Sequence, residues 1–161
     1  MARINTRLLD ANEERLNTLL PLRGYATKHL VSLKEAIVEL RELLDDVESR
    51  VWTATNRCKN PADTLNQDES AAIVLYTIEW DPDHPSLYSV LNRTLRLEDR
   101  RQLIPWFSYL NLFLTDLFKL PSICCTVRRG VCGDLRSHYK QHDNVTWWAH
   151  QFHALYSQST A

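Results

Sequence analysis

The sequence predicts an α+β fold in which an N-terminal series of amphipathic helices leads into a short buried strand. Three observations carry that expectation. Capping signatures at Ser32 and Asn66 open stretches whose apolar residues recur at helical spacing. The run from Ile123 to Val127, entered from Pro121 and leading into Arg128, Arg129 and Gly130, reads as a buried strand. With only three glycines and six prolines, the chain is poor in the residues a loop-rich or all-β fold requires.

At 161 residues the chain is about one domain long, and 44% hydrophobic with 24% charged residues fits an ordinary globular protein. A net charge of -1 gives no electrostatic case for a nucleic-acid partner. The N-terminal residues contain no apolar core of a signal peptide, and no run is long enough to span a bilayer. Cys58, Cys124, Cys125 and Cys132 show neither a CxxC pair nor a disulfide-framework spacing. A reduced, cytoplasmic protein with no membrane partner is the expectation. The sequons at Asn92 and Asn144 have little weight without a secretion signal.

Taken in order, residues 1–24 form a polar leader, with a weakly periodic helix over 7–20 that Pro21 and Gly24 interrupt. Ser32-Leu-Lys-Glu35 is a capping box, the serine accepting from a first-turn N–H while the glutamate accepts from the serine N–H. From there Leu33, Ile37, Leu40, Leu44, Val47, Val51 and Ala54 alternate spacings of four and three. They predict one helix of roughly 25 residues, about 37 Å long. That seam supports either a coiled-coil dimer or packing within the domain; Ala36, Val38, Leu43 and Trp52 widen the apolar face in favour of the latter.

Lys59-Asn-Pro61 ends this helix. Asn66, with Asp68 and Glu69 behind it, caps the next, predicted from Gln67 to about Glu79. Asp81-Pro-Asp-His-Pro85 breaks the chain again, and Ser86 caps a short helix through Leu95. The last helix is predicted from near Asp99 to Leu120, with Pro105 either separating its first turn or kinking it. Leu103, Phe107, Leu110, Phe113, Leu114 and Leu117 line one face, so this most hydrophobic element must be buried.

An ordered set of motifs now becomes informative. Asp68 to Thr77, Leu87-Tyr88, Leu91 to Arg96, Pro105 to Leu110, Leu120-Pro-Ser122 and Val127 to Val131 follow one another in a fixed order. The chain, over roughly residues 30–148, resembles the N-terminal portion of the arginine-specific mono-ADP-ribosyltransferases of the R-S-E class. That resemblance implies transfer of ADP-ribose from NAD (or NADP) to protein arginine, with NAD as substrate and an arginine-bearing protein as acceptor. It implies NAD binding by Arg129, whose planar fork suits phosphate and ribose oxygens, and by Gly130, whose missing side chain admits the nicotinamide amide. Tyr139 and the Trp147-Trp148 pair also match the family pattern.

The family continues with a Ser-x-Ser strand and a catalytic Glu-x-Glu, which stabilises an oxocarbenium-like transition state. Here the residues after Trp148 do not match, and no acidic residue follows Asp143. Arg128 stands where the family has an aromatic residue, and Asp143 lies near an expected glycine. The expectation is therefore a truncated ADP-ribosyltransferase domain over 25–148, helical over 25–120 and strand-helix-strand over 122–148, with a divergent tail at 149–161. No catalytic residue is assigned, and the chain alone is expected to be inactive. The alternative is a non-catalytic helical interaction module, or an oligomer formed through the helix Leu33 to Cys58.

Three further groups read as structural. His138 and His142, with Cys132 upstream, do not complete a zinc ligand set, and no metal site is assigned. Arg93, Arg96, Arg100 and Arg101 are interrupted by Glu98 and Asp99 and read as a solvated face. The rings at 76, 80, 88, 106 and 109 read as core.

Overall fold

The computed structural model describes residues 24–61, 64–80 and 84–121. These belong to a compact unit, Pro21–Ser122, whose regular elements are all helices, with no strand among the described residues. This corrects the α+β expectation of a helical part followed by strands. Helix packs on helix here, and the apolar faces are buried without a sheet. The expected strand 123–127 and the strand-helix-strand segment 122–148 lie outside the described residues, as do the 7–20 helix and the tail 149–161.

Five α-helices are described: α1 (Leu33–Ala36), α2 (Val47–Arg57), α3 (Gln67–Thr77), α4 (Leu87–Leu95) and α5 (Phe107–Lys119). Short 3-10 helices at Tyr25–Thr27, Val38–Leu40 and Arg100–Trp106 join them to the rest of the chain. The predicted caps form. Ser32 and Glu35 complete one capping box, Asn66 and Glu69 a second, and the Ser86 hydroxyl accepts from the Ser89 N–H. Each satisfies donors that a helix start would otherwise leave orphaned, worth about 1 kcal/mol apiece.

The single helix expected from Leu33 to Cys58 is broken. After α1 comes the 3-10 helix Val38–Leu40, then turns, and Asp46 adopts left-handed geometry at φ 55° before α2 begins. Aspartate is a poor helix former and one of the few residues that enters this region readily. The seam survives the break. Leu33, Ile37, Leu40, Leu44, Val47 and Ala54 are all buried, because the turns re-aim each segment toward the same core. Six of the seven residues that would form a coiled-coil seam are therefore buried within the unit itself, and Val51 is half-buried.

Helix α3 is the centre of the packing. It touches α1, α2, α4 and α5, and it buries Ala71, Ala72, Ile73, Leu75 and Tyr76 around its circumference. Two alanines let neighbouring helices approach closely, while Tyr76 meets Tyr88 edge-on at 5.7 Å and Phe113 at 4.9 Å. Helix α5 lies against α3, α1 and the 3-10 helices Tyr25–Thr27 and Arg100–Trp106. Pro105 resolves as a separate 3-10 piece, Arg100–Trp106, leading directly into α5. The rings at 76, 80, 88, 106 and 109 are buried, as a core reading requires.

Gly24 marks the entry to the unit. It sits at φ 96°, and a side-chain carbon there would stand 3.0 Å from Cε2 of Phe107. Both the backbone sign and the ring exclude a larger residue. Gly24→Ala is expected to cost about 1–2 kcal/mol, read as a lower urea midpoint. An unchanged midpoint would show that Phe107 yields freely.

Candidate functional site

The residues assigned to NAD, Arg129 and Gly130, lie outside the described residues, as do Cys132, His138 and His142. The described unit instead carries the upstream half of the motif set, and the geometry of that half is informative.

Its polar side chains join the helices. Asp68 Oδ2 accepts from the Leu33 N–H at 3.3 Å, so the first residue of α1 is capped from α3. The Tyr109 hydroxyl donates to the Ala72 carbonyl at 2.9 Å, and burial pushes its pKa well above the usual phenol value, which keeps it a donor. The Tyr76 hydroxyl donates to Asn92 Oδ1 at 3.2 Å. Asn111 Nδ2 donates to the Lys28 carbonyl at 2.8 Å, fixing the entry turn to α5. Asn92 is fully buried, so its sequon is inaccessible in the folded unit.

The most unusual group is Asp116, buried on the same side of α5 as Tyr109. Its Oδ1 lies 3.4 Å from Lys119 Nζ, and its Oδ2 has no hydrogen-bond donor among the described residues. Burial, then the nearby charge of Glu69, raises its pKa from 3.8 to about 6, with Lys119 opposing the rise. Lys119 also reaches Glu69 Oε1 at 2.5 Å, tying the last turn of α5 to the first turn of α3. For Glu69, desolvation acts upward, yet the bonds from Lys119 and from the Asn66 N–H bring its pKa below the ordinary value. Lys119 is raised, chiefly by its hydrogen bond to Glu69. The sequence did carry a signal for Asp116. It is the one acid in α5, within the run Leu112 to Leu117.

The arginine cluster does not converge. Arg101 pairs with Asp99 at 2.9 Å on the surface, whereas Arg100, partly buried and with its pKa lowered by desolvation, donates to the Leu95 carbonyl at 2.6 Å. Arg100 thus closes the α4 C-terminus, while Arg101 is held by Asp99. Among the described residues no group of His, Cys, Asp and Glu has metal-binding geometry, and Cys58 is a free, buried thiol. No described helix is long and apolar enough to cross a membrane. Comparison with family models, with curated proteins and with solved structures found no match.

Proposed function

We propose that the described unit is a non-catalytic helical scaffold of the kind that precedes the NAD cleft in arginine-specific mono-ADP-ribosyltransferases, in a cytoplasmic protein. The observation that supports this reading is where the motif residues of α3, α4 and the α5 region fall. Ala72 and Tyr109 are hydrogen-bonded to each other, Tyr76 to Asn92, and Trp106 is fully buried between them in sequence. A motif set whose members contact one another across three elements behaves as one structural signature. In this reading the scaffold holds the chain as it leaves α5 at Leu120, and Arg129 and Gly130 beyond it contribute contacts to NAD. The matching carboxylate pair is missing from these residues, since no Glu or Asp follows Asp143.

The experiment is a pair of measurements on the full chain. Isothermal titration with NAD should detect weak binding that Arg129→Ala removes. Incubation with NAD and an arginine-rich acceptor, followed by mass spectrometry, should show no ADP-ribose transfer. Absence of any NAD binding would defeat the cofactor assignment, and robust transfer would defeat the non-catalytic one.

A further inference from the structure

Two carboxylates meet one ammonium where α5 ends. Lys119, the last residue of α5, has its Nζ 2.5 Å from Glu69 Oε1 and 3.4 Å from Asp116 Oδ1. The two acids differ in how well they are otherwise held. Glu69 Oε2 accepts from the Asn66 N–H at 3.0 Å and its Oε1 from Asn66 Nδ2 at 2.8 Å, so its charge is satisfied within the capping box. Asp116 is fully buried, and no described group donates to its Oδ2. A buried carboxylate that shares its ammonium with a better-satisfied acid is the member of the pair that takes up a proton.

The same side chains join two elements. Glu69 lies in the first turn of α3 and Lys119 in the last turn of α5, while the neighbouring Asp68 holds the start of α1 through the Leu33 N–H. Burial first, then the charges of Glu69 and Asp68, favour the protonated form of Asp116, and Lys119 opposes it. The buried Tyr109 phenol on α5 stays a neutral donor to the Ala72 carbonyl. The charged groups of the other elements packed on α5 are engaged elsewhere or exposed. On α1, Glu35 accepts from Ser32 and Lys34 is exposed. In Arg100–Trp106, Arg100 donates to the Leu95 carbonyl and Arg101 pairs with Asp99. Tyr25–Thr27 contains no carboxylate or ammonium side chain.

We propose that Asp116, Lys119 and Glu69 form a proton-operated latch: uptake of one proton at Asp116 fastens the last turn of α5 to the first turn of α3, and its release at neutral pH loosens that joint. When the joint opens, Asp116 regains water and its ordinary pKa of 3.8 in place of about 6. The closed joint therefore binds the proton more tightly, and acidification from neutrality favours closure. The effect ends where Glu69 protonates and releases Lys119. Desolvation acts upward on Glu69, but the bonds from Lys119 and Asn66 outweigh it and keep that point below the ordinary glutamate value. The latch requires neither NAD nor Arg129, so it stands apart from the ADP-ribosyltransferase reading.

The test is residue-resolved amide exchange by NMR on the full chain, with rates corrected for their intrinsic pH dependence. The reporters are the Leu120 N–H, bonded to the Leu117 carbonyl at 3.2 Å, and the Ser70 N–H, bonded to the Asn66 carbonyl at 3.0 Å. The Val90 N–H of α4, bonded to the Ser86 carbonyl at 3.0 Å, is the control. Protection at Leu120 and Ser70 should rise about tenfold from pH 7.5 to about pH 5, and at Val90 by less than about twofold. Asp116→Asn should abolish the rise at both reporters. Lys119→Met should move the midpoint of the rise to higher pH, because the ammonium disfavours the proton on Asp116, and Lys119→Arg should leave it nearly in place. An equal rise at Val90 overturns the proposal, since the proton would then act on the whole unit rather than on this joint. So does constant protection at the reporters, a rise that persists in Asp116→Asn, or a midpoint that Lys119→Met leaves unmoved.

Discussion

Asp116→Asn is expected to make the helical unit more stable at neutral pH, although it removes a charged group beside a lysine. The wild-type carboxyl is fully buried with one oxygen lacking a donor among the described residues, so its ionised form is held at a disadvantage. Its pKa rises from 3.8 to about 6 on folding. A folded-state value above the unfolded one means stability is greatest below about pH 4, declines between about pH 4 and 6, and stays at the lower level above. A shift of that size corresponds to about 3 kcal/mol. Asparagine occupies the same volume without the charge but gives up the attraction to Lys119, so a net gain of about 2 kcal/mol at pH 7.5 is expected. The measurement is a set of urea unfolding curves at pH 4.5, 5.5, 6.5 and 7.5. The gain should shrink toward the acid end. Glu69, with its lowered pKa, contributes in the opposite sense: its stabilisation is lost as pH falls below the ordinary glutamate range. The wild-type profile should therefore peak between the two windows, and a flat difference between the proteins across this range would refute the assignment to Asp116.

Trp106→Ala should produce the largest loss of any single change in the described unit. Trp106 is fully buried at the junction where the 3-10 helix Arg100–Trp106 becomes α5. Truncating a buried tryptophan costs about 3–5 kcal/mol, since the cavity adds to the lost transfer energy. Domains of this size have about 5–15 kcal/mol in total, so the variant should sit near the edge of folding at 37 °C. Hydrogen exchange read by mass spectrometry distinguishes a local from a global effect. Loss of protection in α3 and α4 as well as α5 is expected, because α3 packs on both of the others. Protection lost only around residues 100–110 would show that the junction is not coupled to the core. Trp106→Phe should lose less, since most of the volume remains.

Much of this architecture was legible in the residues because it rests on local chemistry. Ser32, Asn66 and Ser86 each sit beside the donors they satisfy, so their caps follow from sequence spacing alone. The breaks at Pro61 and Pro85 follow from a residue that cannot continue a helix. The alternation from Leu33 to Ala54 identified six buried side chains, and only Val51 of that seam is half-buried rather than buried. It could not identify the path of the backbone between them. A periodic seam has the same sequence whether it lies along one straight helix or on two segments folded around a left-handed Asp46. The expected strand was read from a stretch outside the described residues, and the helical unit packs without it. Arg129 and Gly130 rest on the family resemblance alone.

What the sequence determined by itself, then, is the capped helix starts at Ser32, Asn66 and Ser86, the breaks at the prolines and most of the inward-facing positions, because each depends on neighbours a few residues away. Tertiary structure decided the rest. It broke the Leu33–Cys58 seam and turned it into its own domain, leaving Trp52 outside. It brought Glu69, Asp116 and Lys119 together from the ends of α3 and α5. Those residues lie up to fifty positions apart in the chain. No local pattern encodes such a separation, since the field a carboxyl experiences is set by what packs against it.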